Sequence, residues 1–279
     1  MRLIGCGDSW CWGSELVDPI EEPIPIMKLG IDAHHLHLKP VNEAFRLKHK
    51  YLNIFADSIN ATEIVDLSKC AYSNDAISRT LLEWLSIEGY TSGRDTSDLF
   101  ITIGWTSPER TEFYCKDNPQ VIRWQEFGPW ALSYDYKNDK VNQLMRLYFE
   151  NFYCEEEFLL RWVTTVWHTE MMLKQLNIKY VMHQAFYHHY QQMIYQWDDN
   201  KYTENIYNTE LGIKKIWESI DKIKFINKDN TEQGTMHHYL LSQVNNDHTK
   251  VFEVFHPNSY GHKLWADYMY KYCVENNLL

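Results

Sequence analysis

The chain lacks paired cysteines, a surplus of positive charge and any long apolar run, and each absence removes a class of protein. Its six cysteines, Cys6, Cys11, Cys70, Cys115, Cys154 and Cys273, are scattered with no CxxC pair. They do not form a disulfide framework of the kind small secreted domains use, so reduced thiols are expected. With 27 Lys and Arg against 38 Asp and Glu, and a formal net charge of −11, nothing in the composition is suited to neutralising phosphates. No nucleic-acid partner is expected. No segment offers the roughly 18 apolar residues that span a bilayer, so no membrane partner is expected either. Before Gly5 there is only one basic residue, Arg2, and no apolar stretch of signal-peptide kind follows, which points to the cytoplasm. Linker composition and internal repeats are also missing, and 279 residues with 44% apolar content read as one domain over 1–279.

What is present is alternation. Residues 2–6 make a short buried strand, and 41–58 a helix with Ala44, Leu47, Tyr51, Leu52 and Phe55 on one side. A second strand falls at 62–67, a helix capped at Ser73-Asn74-Asp75 runs to about 86, and a third strand occupies 98–104. A fourth strand lies at 178–184, a helix at 209–220, and a weak fifth strand near 222–226. Strands separated by helices predict a three-layer α/β/α sandwich around a parallel sheet of about five strands. Ligands in such sheets bind at the carboxyl ends of the strands. Between the third and fourth strands the stretch 105–177 is too long for a bare loop. Its first part, with Pro108, Pro119, Trp124, Pro129 and Trp130, reads as a lid-like excursion over the site, and 141–176 as one or two helices.

Two patterns at opposite ends of the chain carry chemistry. Gly7-Asp8-Ser9 follows the first strand, and His256-Pro257-Asn258 with Gly261-His262 opens the last helix. A serine hydroxyl at its ordinary acidity is a poor nucleophile and needs a base within about 3 Å; histidine, titrating near neutrality, is the usual one. Ser9 is therefore the candidate nucleophile and His256 the candidate base. His34, His35 and His37, His188 with His189, and His237 with His238 form clusters. No Cys or carboxylate completes a ligand spacing around them, so no metal and no cofactor are expected. The abundance of Asn, Lys, Ile and Tyr is consistent with an AT-rich coding sequence, as in a viral or AT-rich bacterial source.

These motifs resemble those of the SGNH, or GDSL-like, hydrolases. Gly7-Asp8-Ser9 is similar to the family's first block, Ala71-Tyr72-Ser73-Asn74-Asp75 to the second, Gly104-Trp105-Thr106 to the third and Glu253-Val254-Phe255-His256-Pro257 to the fifth. The resemblance implies a flavodoxin-like sheet and ester or acyl hydrolysis through a serine. It implies Glu253, in place of the family's Asp, as the acid that holds His256. It also implies an oxyanion hole from the backbone amides of Ser9 and Ala71 and the side chain of Thr106, which stands where the family has Asn. One such donor is worth roughly 3–4 kcal/mol of transition-state stabilisation. Asp8 reads as a group orienting the serine loop or as a turn residue. Arg110 reads as a clamp for an anionic or hydroxyl-rich substrate or as a lid ion pair with an acid such as Glu112. Trp10, Trp12, Tyr72, Trp105, Trp124 and Trp130 lie in site loops; Asp8, Trp10, Trp105 and Arg110 are the substrate-contact candidates. The implied activity is a serine esterase acting on a glycan or small-molecule ester. An acyltransferase on the same scaffold, or a non-catalytic virion or surface module, are the alternatives.

Overall fold

The apolar run after Met1 becomes β1 (Arg2–Gly7), the centre of a parallel sheet with β2 (Glu63–Asp66) on one side and β3 (Leu99–Trp105) on the other. A computed structural model describes residues 1–20, 39–114, 124–128, 140–152, 154–186, 212–229 and 234–279. Two short strands, β4 (Thr111–Tyr114) and β5 (Trp124–Phe127), pair antiparallel as a separate ribbon, and β6 (Lys179–Gln184) completes the main sheet beyond β3. The order β2-β1-β3-β6 places Ile4 beside Val65 and Ile101, and Ile101 beside Tyr180. Every residue of β3 is buried, as a strand covered on both faces requires.

The sheet divides two apolar cores, and side chains alternate between them with the period-two pleat. Ile4, Ile101 and Met182 point to one face. There they meet Ile77, Leu81 and Leu85 of α4 (Asn74–Ile87), Leu159, Trp162 and Val166 of α6 (Glu155–Gln175), and Trp217 of α7 (Ile213–Ser219). Leu3, Phe100 and Val181 point to the other. There they meet Leu52 and Phe55 of α3 (Tyr51–Ser58), Leu240 of α8 (Met236–Ser242), and Trp265 and Met269 of α9 (Ser259–Glu275). Helix, sheet and helix make three layers, and each large apolar side chain so buried contributes about 1.5–3 kcal/mol.

Several expected elements are altered. The helix expected over 41–58 is two, α2 (Pro40–His49) and α3, because Lys50 adopts an extended backbone with φ −72° and ψ 145°. That break turns its side chain inward to an ion pair with Asp66 at the end of β2. The expected fifth strand is reduced to a single parallel bridge between Phe225 and Met182. Asp221 is the reason: its carbonyl accepts from the amides of Lys224 and Phe225 and its carboxylate from Ile223, so the segment coils into a turn. Among the described residues the main sheet therefore has four strands. Within 105–177 the helical part is α5 (Lys140–Asn151) and α6, and α6 belongs to a sheet-covering layer rather than to a cover over the site. Pro119, Pro129 and Trp130, on which the lid reading rested, lie outside the described residues.

Candidate active site

Ser9 is the first residue of α1 (Ser9–Trp12), a single turn set at the carboxyl end of β1. Asp8 caps that turn, its carboxylate accepting from the Trp10 amide at 2.9 Å. Gly13 ends it in the left-handed region at φ 85°. Glu15, two residues on, is also left-handed at φ 66°, a conformation that costs a non-glycine side chain about 1–2 kcal/mol. The close approach of α1 to the sheet depends on two glycines. A Cβ at Gly7 would sit 2.1 Å from Cys11 Sγ, and one at Gly104 would sit 2.2 Å from the same sulfur.

His256 arrives from the other end of the chain on a tight turn between Phe252 and Pro257, which form an antiparallel bridge. Asn258 caps α9 by accepting from the Gly261 amide at 2.9 Å. Gly261 leaves room for Val251 O, which a Cβ would meet at 2.4 Å. His262, buried, takes the Tyr51 amide on Nδ1 at 3.3 Å and so joins α9 to α3. Every marked residue of the His-Pro-Asn-x-x-Gly-His pattern thus has a structural task, and the outcome is that His256 Nε2 lies 2.9 Å from Ser9 Oγ.

The acid on the far side of the imidazole is a correction. Glu15 Oε1 lies 3.0 Å from His256 Nδ1, whereas the polar contact Glu253 makes with His256 is through the backbone, its amide donating to the His256 carbonyl at 2.9 Å. Glu15 is fully buried, and its second oxygen accepts from three successive amides, Val254 at 3.0 Å, Phe255 at 3.0 Å and His256 at 3.1 Å. The half-buried Glu253 carboxyl is pushed up from its ordinary range by burial, and further by the charge of Glu15.

In the third block the threonine side chain is bound to Asp8. Thr106 Oγ1 donates to Asp8 Oδ2 at 2.6 Å, which engages the one proton a threonine hydroxyl has. The Thr106 amide donates to Asn74 Oδ1 at 2.9 Å, and its carbonyl accepts from Asn74 Nδ2 and Gln184 Nε2. Arg110 pairs with Asp8 Oδ2 at 3.2 Å, and its guanidinium lies 5.1 Å over the Phe186 ring. Glu112 is paired with Arg79, not with Arg110. Asp8 and Arg110 are 0% and 4% exposed, and their contacts knit together the chain leaving β1, β3 and β6. Ala71 lies on the loop after β2 at φ 68°, the left-handed backbone that glycine favours.

The two candidate tryptophans also belong to the core. Trp10 packs on Phe186 at 5.1 Å and Phe252 at 5.4 Å, and Trp105 is buried among the apolar residues of the α4/α6 face. Trp105 ends β3 and Trp10 lies in α1, and both rings are buried in the apolar cores. His237 is buried and held neutral, its pKa lowered to about 3 by burial and by His238 and His248. His34, His35, His37, His188 and His189 lie outside the described residues, and among the described residues no group of three His, Cys, Asp or Glu gathers as a metal would need.

Glu15, Asn74 and Gln184 are the site residues that local sequence does not disclose. Glu15 sits six positions after Ser9 in an unpatterned turn, and Asn74 reads as a helix cap, which its neighbour Ser73 in fact provides by accepting from the Ala76 amide at 3.1 Å. Gly13-Ser14-Glu15 places an acid close to Ser9 along the chain, but nothing local says that an acid there is buried.

Fold and site together define an α/β protein with a serine–histidine pair at the strand ends of a parallel sheet. The chain belongs to the family described as "Family of unknown function (DUF6071)", whose match covers residues 34–278, a span that contains His256 and starts after Ser9 and Glu15. No curated protein matches by sequence. Among solved structures, the chain is similar to the psychrotrophic esterase EstA from Pseudoalteromonas sp., in a structure inhibited by monoethylphosphonate, at 9% identity and a TM-score of 0.46, covering 98% of this chain and 97% of that one. It is also similar to an acetyl xylan esterase, Est2A, from the rumen bacterium Butyrivibrio proteoclasticus, at 13% identity and a TM-score of 0.44, covering 98% of this chain and 63% of that one.

Proposed function

We propose that the protein is a serine ester hydrolase built on the SGNH plan, releasing a small acyl group from a glycan or small-molecule ester. The observation that carries the reading is the 2.9 Å contact between Ser9 Oγ and His256 Nε2, made by residues 247 positions apart. In the reaction, Ser9 Oγ bonds to the carbonyl carbon as its proton passes to Nε2; the proton then goes to the departing alcohol as the ester C–O bond breaks, leaving an acyl-enzyme. Water then attacks the acyl carbon, giving up its proton to Nε2, and that proton passes to Ser9 Oγ as the acyl–serine bond breaks and the acid leaves. The amides of Ser9 and Ala71 face the developing oxyanion. With the Thr106 hydroxyl engaged by Asp8, that hole has one donor fewer than the resemblance implies, so turnover is expected about 10²–10³-fold below that of a fully furnished site.

A fluorophosphonate probe and short-chain p-nitrophenyl esters test this. Labelling at Ser9, and ester turnover that Ser9→Ala abolishes while the melting temperature holds, are the expected results. A well-folded protein that neither labels nor turns over ester would return the reading to a binding or structural module.

A further inference from the structure

We infer that Glu15, six residues after Ser9 and just beyond α1, is the residue that orients His256 and fixes which ring nitrogen carries the proton. The inference deepens the reading of Ser9 and His256 as nucleophile and base and rests on it for its catalytic meaning, though not for its geometry. An imidazole can accept the serine proton only if Nε2 is bare, and Nε2 is bare in the neutral ring when the proton sits on Nδ1. A carboxylate is a pure acceptor, so Glu15 Oε1, 3.0 Å from Nδ1, stabilises that tautomer. Its other oxygen collects the amides of Val254, Phe255 and His256, which seats the whole histidine turn on the nucleophile's own loop.

Three features make this more than a packing contact. Glu15 is fully buried, so its carboxylate is present only because these four partners satisfy it. Its backbone is held left-handed at φ 66°, and a strained conformation that persists is one the surroundings impose. The nearer acid in sequence, Glu253, has the wrong contact: its amide, not its carboxyl, reaches His256, through the carbonyl. Nucleophile and orienting acid therefore come from one seven-residue segment, Ser9 to Glu15, and the C-terminal turn contributes the base alone.

Glutamine separates the tautomer effect from folding. The amide oxygen of Glu15→Gln can keep the three backbone bonds, while its NH2 group, a donor, faces Nδ1 and drives the ring proton to Nε2. Ring ¹⁵N signals of His256, assigned with His256→Asn, are expected to report the Nδ1–H tautomer in the unmodified protein and in Glu253→Gln, and the Nε2–H tautomer in Glu15→Gln. On p-nitrophenyl acetate, Glu15→Gln is expected to lower kcat by about 10³–10⁴-fold with KM little changed, as loss of the correct tautomer does elsewhere. An Nε2–H ring in the unmodified protein, or a switch caused by Glu253→Gln and not by Glu15→Gln, overturns the assignment. Should Glu15→Gln not fold, the tautomer of the unmodified protein and of Glu253→Gln decides alone. A protein that shows the expected tautomers but cleaves no ester leaves Glu15 in place and sinks the hydrolase reading instead.

Discussion

Asp8 shows how one buried side chain can tie several chain segments together. Its carboxylate is fully buried and takes the Trp10 amide, the Thr106 hydroxyl and the Arg110 guanidinium, so the start of α1 is tied to the chain leaving β3. Removing one partner of a buried pair leaves the other charge without compensation, which costs about 3–5 kcal/mol. Arg110→Met is accordingly expected to lower unfolding free energy by about that amount in urea titrations, with ester turnover falling because the nucleophile turn loosens. Stability within about 0.5 kcal/mol of the parent would show that Asp8 does not need the arginine. The same residue illustrates what the chain could not disclose. Ser9 and His256 stand out as types in motifs, whereas the engagement of Thr106 by Asp8 depends on a carboxylate and a hydroxyl 98 positions apart meeting at 2.6 Å.

Among the elements, the strands were the most legible and the joints the least. β1, β3 and β6 fall where buried apolar runs predict, because a strand covered on both faces is largely apolar. The 41–58 helix shows the opposite case. Its periodicity continues through Lys50, yet the chain extends there so that the ammonium reaches Asp66, a tertiary partner overriding a local pattern. Where α1 lies on the sheet, packing is decided by hydrogen atoms in place of methyls. Gly104→Ala would put a Cβ 2.2 Å from Cys11 Sγ and 2.8 Å from His183 Nε2. Overpacking of this kind costs about 1–3 kcal/mol and displaces α1, and with it Ser9. Thermal denaturation should therefore show a lower midpoint for Gly104→Ala, and the double change Gly104→Ala with Cys11→Ala should recover part of the loss by making room. Equal midpoints for the single and double variants would mean that Cys11 is not the obstacle.

Taken as a whole, the molecule buries three histidines in surroundings that disfavour their charged form. His183, His237 and His262 are all buried, and burial lowers each from 6.5 to about 3, with neighbouring histidines adding to the effect at His237 and both histidines and Lys50 adding at His262. The sign follows directly. Between pH 6.5 and 3 the unfolded chain binds these protons and the folded chain does not, so stability is complete above about pH 6.5 and is lost as the pH falls. One proton taken up on unfolding corresponds to about 1.4 kcal/mol per pH unit, so three together approach about 4 kcal/mol per unit. Against a typical total of about 5–15 kcal/mol, the fold should give way within two or three units below neutrality. Melting temperatures recorded from pH 8 to pH 4 would check this; a midpoint that stays level down to pH 5 would mean these rings are charged or exposed in the folded protein.

Local chemistry was enough to read the parallel α/β class, the nucleophile and base candidates, and the helix cap at Ser73, because strand period, residue type and capping are short-range properties. Assembly in three dimensions settled the rest. It brought Glu15 to His256 across 241 positions, engaged the Thr106 hydroxyl with Asp8, buried Arg110, Trp10 and Trp105, and reduced the fifth strand to a bridge. The physical reason is common to all of these. Each depends on which partner a polar or aromatic group finds once buried, and that is set by the packing of distant segments rather than by the neighbours a residue has along the chain.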